Sequence, residues 1–342
     1  MARHVSSAFV HHNGEVRLVI QIPCFNEAET LPQTLAELPR RVAGFDEVLW
    51  LVIDDGSTDA TAEVAKLHGV DAIVSLTNNR GLAVAFQSGL DASLKLGADV
   101  IVNTDADNQY SARDIPLLLE PILSGEADLV VGTRDISNHE EFSWSKKRLQ
   151  KIGSWVVRQA SATDVSDVTS GFRAYSKEAA LQVNVVSQFT YTLETLIQAG
   201  RSDVVVADVP ISVNATTRPS RLFSSKRQYV RRSAGTIFRV YAMHRPLRVF
   251  NIPAAFFAIV GIVLFARFAW FYLTDGGDGY IQSLIVGAVC LVIAMQMLML
   301  GVLANLLRAN RVIGERVLRR VRNIELVIDD YTSPEEDLRP EE

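Results

Sequence analysis

Asp105 and Asp107 stand one residue apart at the end of an apolar run, and Gln109 follows two places later. Carboxylate oxygens at that spacing can converge on a hard divalent cation, with the glutamine carbonyl as a further oxygen donor. Mg2+ or Mn2+ suits such a set. An Asp-x-Asp also caps turns and helices, so the pair alone decides little. Two other polar clusters stand in the same relation to apolar runs: Pro23-Cys24-Phe25-Asn26-Glu27 and Asp54-Asp55-Gly56-Ser57-Thr58-Asp59. In the second, Gly56 has the plain reading of a turn and Ser57 or Thr58 that of a helix cap. Two adjacent carboxylates there also suit hydrogen bonds to a base or ribose edge. If each run is a strand of one parallel sheet, all three clusters end on one edge, where open α/β sheets bind ligands. A cation held there would bridge the two phosphates of a nucleoside diphosphate and neutralise charge as that group leaves.

The elements that must position these clusters are short apolar runs alternating with amphipathic stretches. Leu18 to Ile22, Val48 to Ile53, Ala72 to Leu76, Val100 to Val102 and Leu129 to Val131 read as strands. Ala60 to Leu67 and Leu82 to Leu96 read as helices between them. The pattern predicts an α/β domain with a mostly parallel sheet over residues 17–215. Residues 1–16 lack the apolar core of an export signal and read as a flexible leader that stays in the cytosol. The two cysteines, Cys24 in an apparent loop after a strand and Cys290 in a long apolar run, give no disulfide framework and fit a reducing compartment. A net charge of -5 over 342 residues offers no reason to expect nucleic acid as a partner.

Residues 251–273 and 281–307 are each apolar over the roughly 20 residues that a ~30 Å hydrocarbon core requires. They read as a transmembrane hairpin. Arg267 is the one charged residue within the two spans, placed to snorkel to the far interface or to meet a partner helix or a lipid phosphate, and the short link between them holds Asp275 and Asp278. Before the hairpin, residues 216–250 carry Arg218, Arg221, Lys226, Arg227, Arg231, Arg232, Arg239, Arg245 and Arg248, interleaved with Phe223, Tyr229, Phe238 and Tyr241. This stretch reads as a juxtamembrane amphipathic helix at membrane-lipid headgroups, or simply as a topology signal. After the hairpin, residues 308–342 form a basic and then acidic tail. By the positive-inside rule the predicted location is a plasma membrane crossed twice, with the sheet domain and both termini cytoplasmic. Gly261, Gly287 and Gly301 allow close helix contacts, compatible with a homo-oligomer.

The stretches Ile22 to Glu27, Val52 to Asp59, Asp105 to Gln109 and Thr169-Ser170-Gly171-Phe172-Arg173, in their order and spacing, resemble glycosyltransferase family two. Over roughly Leu18 to Phe250 the chain is most similar to its polyprenyl-phosphate branch, which includes dolichol-phosphate mannose synthases and undecaprenyl-phosphate glucosyltransferases. The resemblance implies a GT-A-type (Rossmann-like) domain followed by the two-helix hairpin. It implies a nucleotide-sugar donor of the UDP- or GDP-sugar kind and a polyprenyl-phosphate acceptor. Pro23, Phe25, Asn26 and Glu27 would then line the base and ribose, with Asp54 or Asp55 on the base edge. Asp105, Asp107 and Gln109 would hold the metal. Arg134, in Gly132-Thr133-Arg134, and Arg148 would grip the acceptor phosphate, while Ser170 and Gly171 form a tight loop beside the sugar. Arg218, Arg221 and Lys226 resemble the family's basic loop over donor and acceptor. The usual Gly-x-Ser-Lys there is replaced by Pro219-Ser220-Arg221 and Ser225-Lys226.

The chemistry so implied is one inverting displacement, with the acceptor phosphate oxygen attacking the anomeric carbon. A phosphate monoester loses its second proton near pH ~6 and needs no strong base. Asp167 either orients the acceptor or is an ordinary turn carboxylate. Three rivals stand beside this reading. A transferase to a diacylglycerol, glycan or growing polysaccharide shares the fold, but the Gln-x-x-Arg-Trp motif of processive synthases is missing from the sequence. A nucleotidylyltransferase would carry a glycine-rich loop near its start, also missing here. A non-catalytic membrane scaffold would not need the carboxylates at Asp54, Asp105 and Asp107.

Overall fold

The computed structural model describes residues 15–134, 165–185, 191–200, 204–214, 242, 245–275 and 281–332. The chain divides into two compact units, one of residues 1–226 with 316–342 and one of residues 227–315.

The first unit is built on a sheet of seven strands: β1 Arg17–Cys24, β2 Glu47–Asp54, β3 Ala72–Ser75, β4 Val100–Asn103, β5 Leu129–Arg134, β6 Arg173–Ser176 and β7 Val206–Ile211. Their spatial order is β3-β2-β1-β4-β6-β5-β7. Pairings β1 with β2, β1 with β4, β2 with β3 and β5 with β7 are parallel. The mostly parallel sheet expected from the alternation is therefore present. It contains one reversal, because β6 runs antiparallel to both neighbours, β4 and β5.

Helices cover both faces, which is why the central strands read as unbroken apolar runs and not as alternating ones. Leu18, Ile20 and Ile22 point into one core with Val52, Val100 and Val102, and residues between them, such as Val19 and Leu51, are equally buried. Helix α1 (Leu31–Glu37) and α2 (Thr61–Leu67) follow β1 and β2, and α3 (Leu82–Lys95) follows β3. Gly89 lets α3 approach the sheet closely, since a β-carbon there would sit 2.5 Å from the Gln21 Oε1 and 2.8 Å from Ile53. After β4 comes α4 (Ile115–Leu123), opened by Pro116 in its first turn, where the missing N–H is no loss. Helices α5 (Lys177–Gln182) and α6 (Tyr191–Ala199) follow β6. The Ser176 hydroxyl accepts the Ala179 N–H and caps α5.

Two sequence expectations change. Cys24 is the last residue of β1, not a loop residue, and is buried. Ser57 and Thr58 do not cap α2, whose first turn is met by Asp59, its Oδ1 accepting the Thr61 N–H at 3.0 Å. The Ser57 hydroxyl instead accepts the Asn26 N–H at 2.9 Å.

The second unit holds α7 (Pro246–Asp275) and the start of α8 (Ile281–Thr332). Both are long and apolar enough to cross a membrane, and their most apolar stretches are only 11% and 17% buried, unlike core helices. They touch each other at small residues. A β-carbon on Gly261 would lie 3.1 Å from the Gly287 carbonyl, and one on Gly287 would lie 3.3 Å from the Gly261 carbonyl. Gly301 packs against Asn251 and Phe250. All three glycines thus make the close helix contacts expected of them, here within one chain. Helix α8 runs on past the second apolar span, helical for another 25 residues beyond Leu307.

Candidate active site

Parallel pairing sets Cys24 level with Asp54, and Gln21 level with Asn103, so the residues following β1, β2 and β4 emerge side by side. The first two clusters are stitched together by their backbones. Asn26, held at a left-handed φ of 56°, accepts the Thr58 N–H on its Oδ1 at 2.8 Å. The Glu27 N–H reaches the Thr61 hydroxyl at 2.9 Å, and the Ala28 N–H reaches Asp59 at 3.2 Å. Pro23 is buried within β1, whereas Phe25 is exposed beyond it.

Asp54 and Asp55 divide in role. Asp54 Oδ1 accepts the Ser57 N–H at 2.9 Å, closing the turn at Gly56. Both oxygens of Asp55 accept backbone N–H groups, from Arg80 and Gly81, each at 2.8 Å. Asp55 therefore ties the end of β2 to the start of α3. Gly56 has φ +68°, and a β-carbon there would fall 2.5 Å from the Asn78 carbonyl carbon.

The third cluster is braced from several sides. The Thr34 hydroxyl of α1 donates to the Ala106 carbonyl at 2.9 Å, and the Asn108 amide donates to Glu37 at 2.8 Å. The Asn214 N–H donates to the Gln109 carbonyl at 2.9 Å, joining the loop to the residues after β7. Asp107 Oδ1 accepts the Gln109 N–H at 3.1 Å, and Asn108 takes a left-handed φ of 55°. Asp107 thus keeps its second oxygen out of the turn. Asp105 lies against Gly171: a β-carbon at that position would be 3.2 Å from Asp105 Oδ1 and 2.7 Å from the Tyr191 hydroxyl. Beneath them runs a buried relay in which the Gln21 amide donates to Asn103 at 2.9 Å, and Asn103 donates to the Gly171 carbonyl at 2.8 Å and to the Tyr191 hydroxyl at 3.1 Å. The Gly171 N–H donates to the Tyr110 hydroxyl at 3.1 Å, and Tyr110 stacks on Phe172 with ring centroids 5.2 Å apart. Arg173, fully buried, holds the same loop by donating to the Ser170 and Val168 carbonyls at 2.8 and 3.1 Å.

Arg134 closes the site from β5. Its Nε donates to Asp167 Oδ2 at 2.7 Å, and its Nη2 donates to Asp167 Oδ1 at 3.3 Å and to the Thr169 hydroxyl at 3.1 Å. The Asp167 side chain is 1% exposed. Burial alone would raise its carboxyl, but the Arg134 and Thr169 hydrogen bonds hold it below the usual carboxylate range. Asp105 shows the opposite balance. Burial and then the neighbouring Asp107 charge push it up to about 7, with Arg134 pulling down and Glu27 pushing further up. Burial and the Asp105 charge likewise push the Tyr110 phenol up to about 12.

A buried carboxyl pushed up by a second carboxylate is a site short of positive charge, and a divalent cation between Asp105 and Asp107 fits that deficit. Among the described residues no three His, Cys, Asp or Glu side chains gather to hold a metal. The chain would therefore supply Asp105 and Asp107, leaving room for ligand oxygens and water, as Mg2+ and Mn2+ accept.

The structure brings Glu27, Asp107, Arg134 and Gly171 around Asp105, with Asp167 on Arg134 and with Asn26 and Asp54 at the adjoining loops, and it buries Ser170 in the loop beside them. Arg148, Arg218, Arg221 and Lys226 lie outside the described residues. Sequence reasoning missed Asn103, Tyr110 and Tyr191. Asn103 carried a signal as the polar end of an apolar strand, and Tyr110 adjoins the third cluster; nothing marks Tyr191.

Comparison with known proteins agrees with this architecture. The profile described as Glycosyl transferase family 2 matches residues 19–183. The undecaprenyl-phosphate mannosyltransferase of Micrococcus luteus is 30% identical over 207 residues, covering 58% of this chain and 83% of that protein. The polyprenol monophosphomannose synthase of Mycolicibacterium smegmatis is 28% identical over 207 residues, covering 57% of this chain and 77% of that protein. Among solved structures, the glucosyl-3-phosphoglycerate synthase of Mycobacterium tuberculosis in complex with phosphoglyceric acid shares the fold, with a TM-score of 0.51 at 20% identity over 67% of this chain and 80% of that one. By motif order, sheet topology and this likeness to proteins along most of their length, the chain belongs to glycosyl transferase family 2.

Proposed function

We propose that this protein transfers a hexose, with inversion, from a nucleoside diphosphate sugar to polyprenyl phosphate at a membrane, using Mg2+ or Mn2+. The observation that carries the reading is the charge arrangement at one sheet edge: an acid pair, Asp105 and Asp107, with the guanidinium of Arg134 close enough to act on Asp105. Such a site is suited to two anions, a departing diphosphate and an arriving phosphate. The names of the two relatives point to a lipid phosphate acceptor, and the two exposed apolar helices suit a protein that works at a bilayer.

In this mechanism Asp105 and Asp107 would hold the cation, which when bound would supply charge neutralisation for the leaving diphosphate. Asn26, Glu27 and Asp54 orient the nucleoside. Asp167 takes the Nε and Nη2 sides of Arg134 and so fixes the direction of its guanidinium, acting on the acceptor only through Arg134. Arg134 holds the acceptor phosphate. An oxygen of that phosphate forms the bond to the anomeric carbon as the bond from that carbon to the diphosphate breaks. The acceptor arrives already deprotonated at neutral pH, so no side chain must remove a proton, and positioning with charge neutralisation supplies the rate.

The test is a screen of UDP- and GDP-sugars against a polyprenyl phosphate, with the full chain purified in detergent and supplied with Mg2+ or Mn2+. Release of nucleoside diphosphate that depends on the lipid, with the product linkage inverted by NMR, is the expected result. Release onto diacylglycerol or an oligosaccharide but not onto the lipid phosphate would overturn the acceptor assignment.

A further inference from the structure

Helix α8 has 52 residues, a length of about 78 Å at 1.5 Å per residue, more than twice a ~30 Å hydrocarbon core. Its uncharged stretch ends at Leu307, yet large apolar side chains recur beyond it. Val317, Val321, Ile324 and Ile328 follow at intervals of four, three and four residues, in register with Leu303 and Leu307. Together with Asn310 and Gly314 they fill the first and fourth places of a seven-residue repeat, the spacing that keeps one seam of a helix facing a partner helix. Val317, Val321 and Ile324 are 55%, 45% and 57% exposed, and a β-carbon on Gly314 would meet nothing within 4 Å. Among the described residues this segment meets its own chain on the adjacent side, where Glu325 also acts on the charge of Asp91. Arg322 donates to the Val183 carbonyl at 2.8 Å and pairs with Asp91 at 3.1 Å.

We propose that the stripe is the seam of a parallel coiled coil between copies of this chain. With Leu307, Gly314, Val321 and Ile328 at the a positions, and Leu303, Asn310, Val317 and Ile324 at d, Arg320 falls at g and Glu325 at the following e. In a parallel pair these two face each other across the seam with opposite charge, and Ile313 at g faces the apolar Leu318 at e. An antiparallel pair would set g against g and e against e, so Arg320 would not meet Glu325. Lipid does not suit the stripe, because Val317 lies ten residues past Leu307, about 15 Å further along the helix, among Arg308, Arg311, Arg316 and Arg320. The parallel direction rests on the membrane-anchored reading above, since copies inserted the same way in one bilayer run alike. A single polar Asn310 in the seam fixes its register, and β-branched residues at both a and d favour three or more strands over two.

The experiment uses the full chain in nanodiscs. Val321→Cys and Asn323→Cys, the latter off the seam, are oxidised with copper phenanthroline beside the parent protein, which controls for Cys24 and Cys290. A disulfide-linked dimer from Val321→Cys alone is expected; equal crosslinking of both variants, or of neither, overturns the seam. Glu325→Arg and Arg320→Glu should each lower the oligomer fraction measured by mass photometry, and the double exchange should restore it. A double exchange as monomeric as either single one overturns the parallel register. Alkaline extraction and sugar transfer are measured on the same samples. A wild-type chain that is monomeric yet stays in the membrane and transfers sugar counts against the coiled coil alone, whereas a wild-type chain washed off by alkali counts against the anchor.

Discussion

Gly171 and Asp105 are in close contact: a β-carbon added at the glycine would stand 3.2 and 3.4 Å from the two Asp105 oxygens, so the carboxylate has to give way to any side chain there. The Tyr191 hydroxyl would stand 2.7 Å from the same β-carbon and would be crowded as well. Gly171→Ala should therefore displace the carboxylate and lower kcat by about 100-fold, the scale of an ångström-sized misplacement at a reacting centre. Circular dichroism and melting temperature should change little beside that loss, and unaltered turnover would show that Asp105 does not need its present place.

Asp107 has one oxygen in its own turn and the other directed elsewhere, so its removal should leave the fold intact. Asp107→Ala is expected to reduce transfer by at least about 1000-fold, in line with losing several kcal/mol of charge stabilisation. Chelation with EDTA should imitate the variant in the wild type, and Mg2+ or Mn2+ should reverse it. Isothermal titration with Mn2+ and nucleoside diphosphate gives a second readout; equal affinity in variant and wild type would remove Asp107 from the metal site.

The Arg134 and Asp167 pair makes separate predictions for acceptor and stability. Arg134→Ala should raise the acceptor KM more than the donor KM. Asp167→Asn should destabilise the fold by about 2 kcal/mol, the range for hydrogen bonds to charged groups. The folded-state carboxyl of Asp167 is held below its ordinary range, so its stabilising contribution is complete above about pH 4, the ordinary aspartate value. It is lost as the pH falls through the depressed folded-state value. Urea unfolding from pH 7 to pH 2 should show the wild type losing its margin over Asp167→Asn below pH ~4; parallel curves would mean the pair does not hold the proton off.

Gly56→Ala tests the turn under Asp54. A left-handed residue with a β-carbon costs about 1–2 kcal/mol in backbone strain, and the contact with the Asn78 backbone at 2.5 Å adds to it. Thermal unfolding should fall by several degrees, with donor KM rising because Asp54 loses its fixed turn. A variant as stable as the wild type would mean that the loop before α3 yields without consequence.

Much of this was legible in the sequence because the polar clusters interrupt strongly apolar strands. Leu18 to Ile22, Val48 to Ile53 and Val100 to Val102 mark three neighbouring strands, and the shared edge followed from the parallel reading. The strands β6 and β7 were not legible. Arg173 to Ser176 is only four residues long and starts with a charged residue, whose burial is possible because nearby carbonyls and the Thr195 hydroxyl receive its N–H groups. Nor could spacing show that Asp167 would face Arg134 from 33 residues away, since that contact depends on β5 and the loop before β6 lying together. The continuation of α8 was hidden by its arginines, which suggest a solvated tail when read singly, although Leu307, Gly314, Val321 and Ile328 recur every seven residues among them.

Cys24 ends β1 beneath the same acidic edge, and burial followed by the charges of Glu27, Asp54, Asp59 and Asp105 pushes its thiol well above the ordinary value. A sulfur kept neutral and covered is a poor nucleophile. Maleimides and dilute peroxide should therefore spare it, and the donor cleft gains an indifference to oxidative stress that a thiolate at the same spot would forfeit.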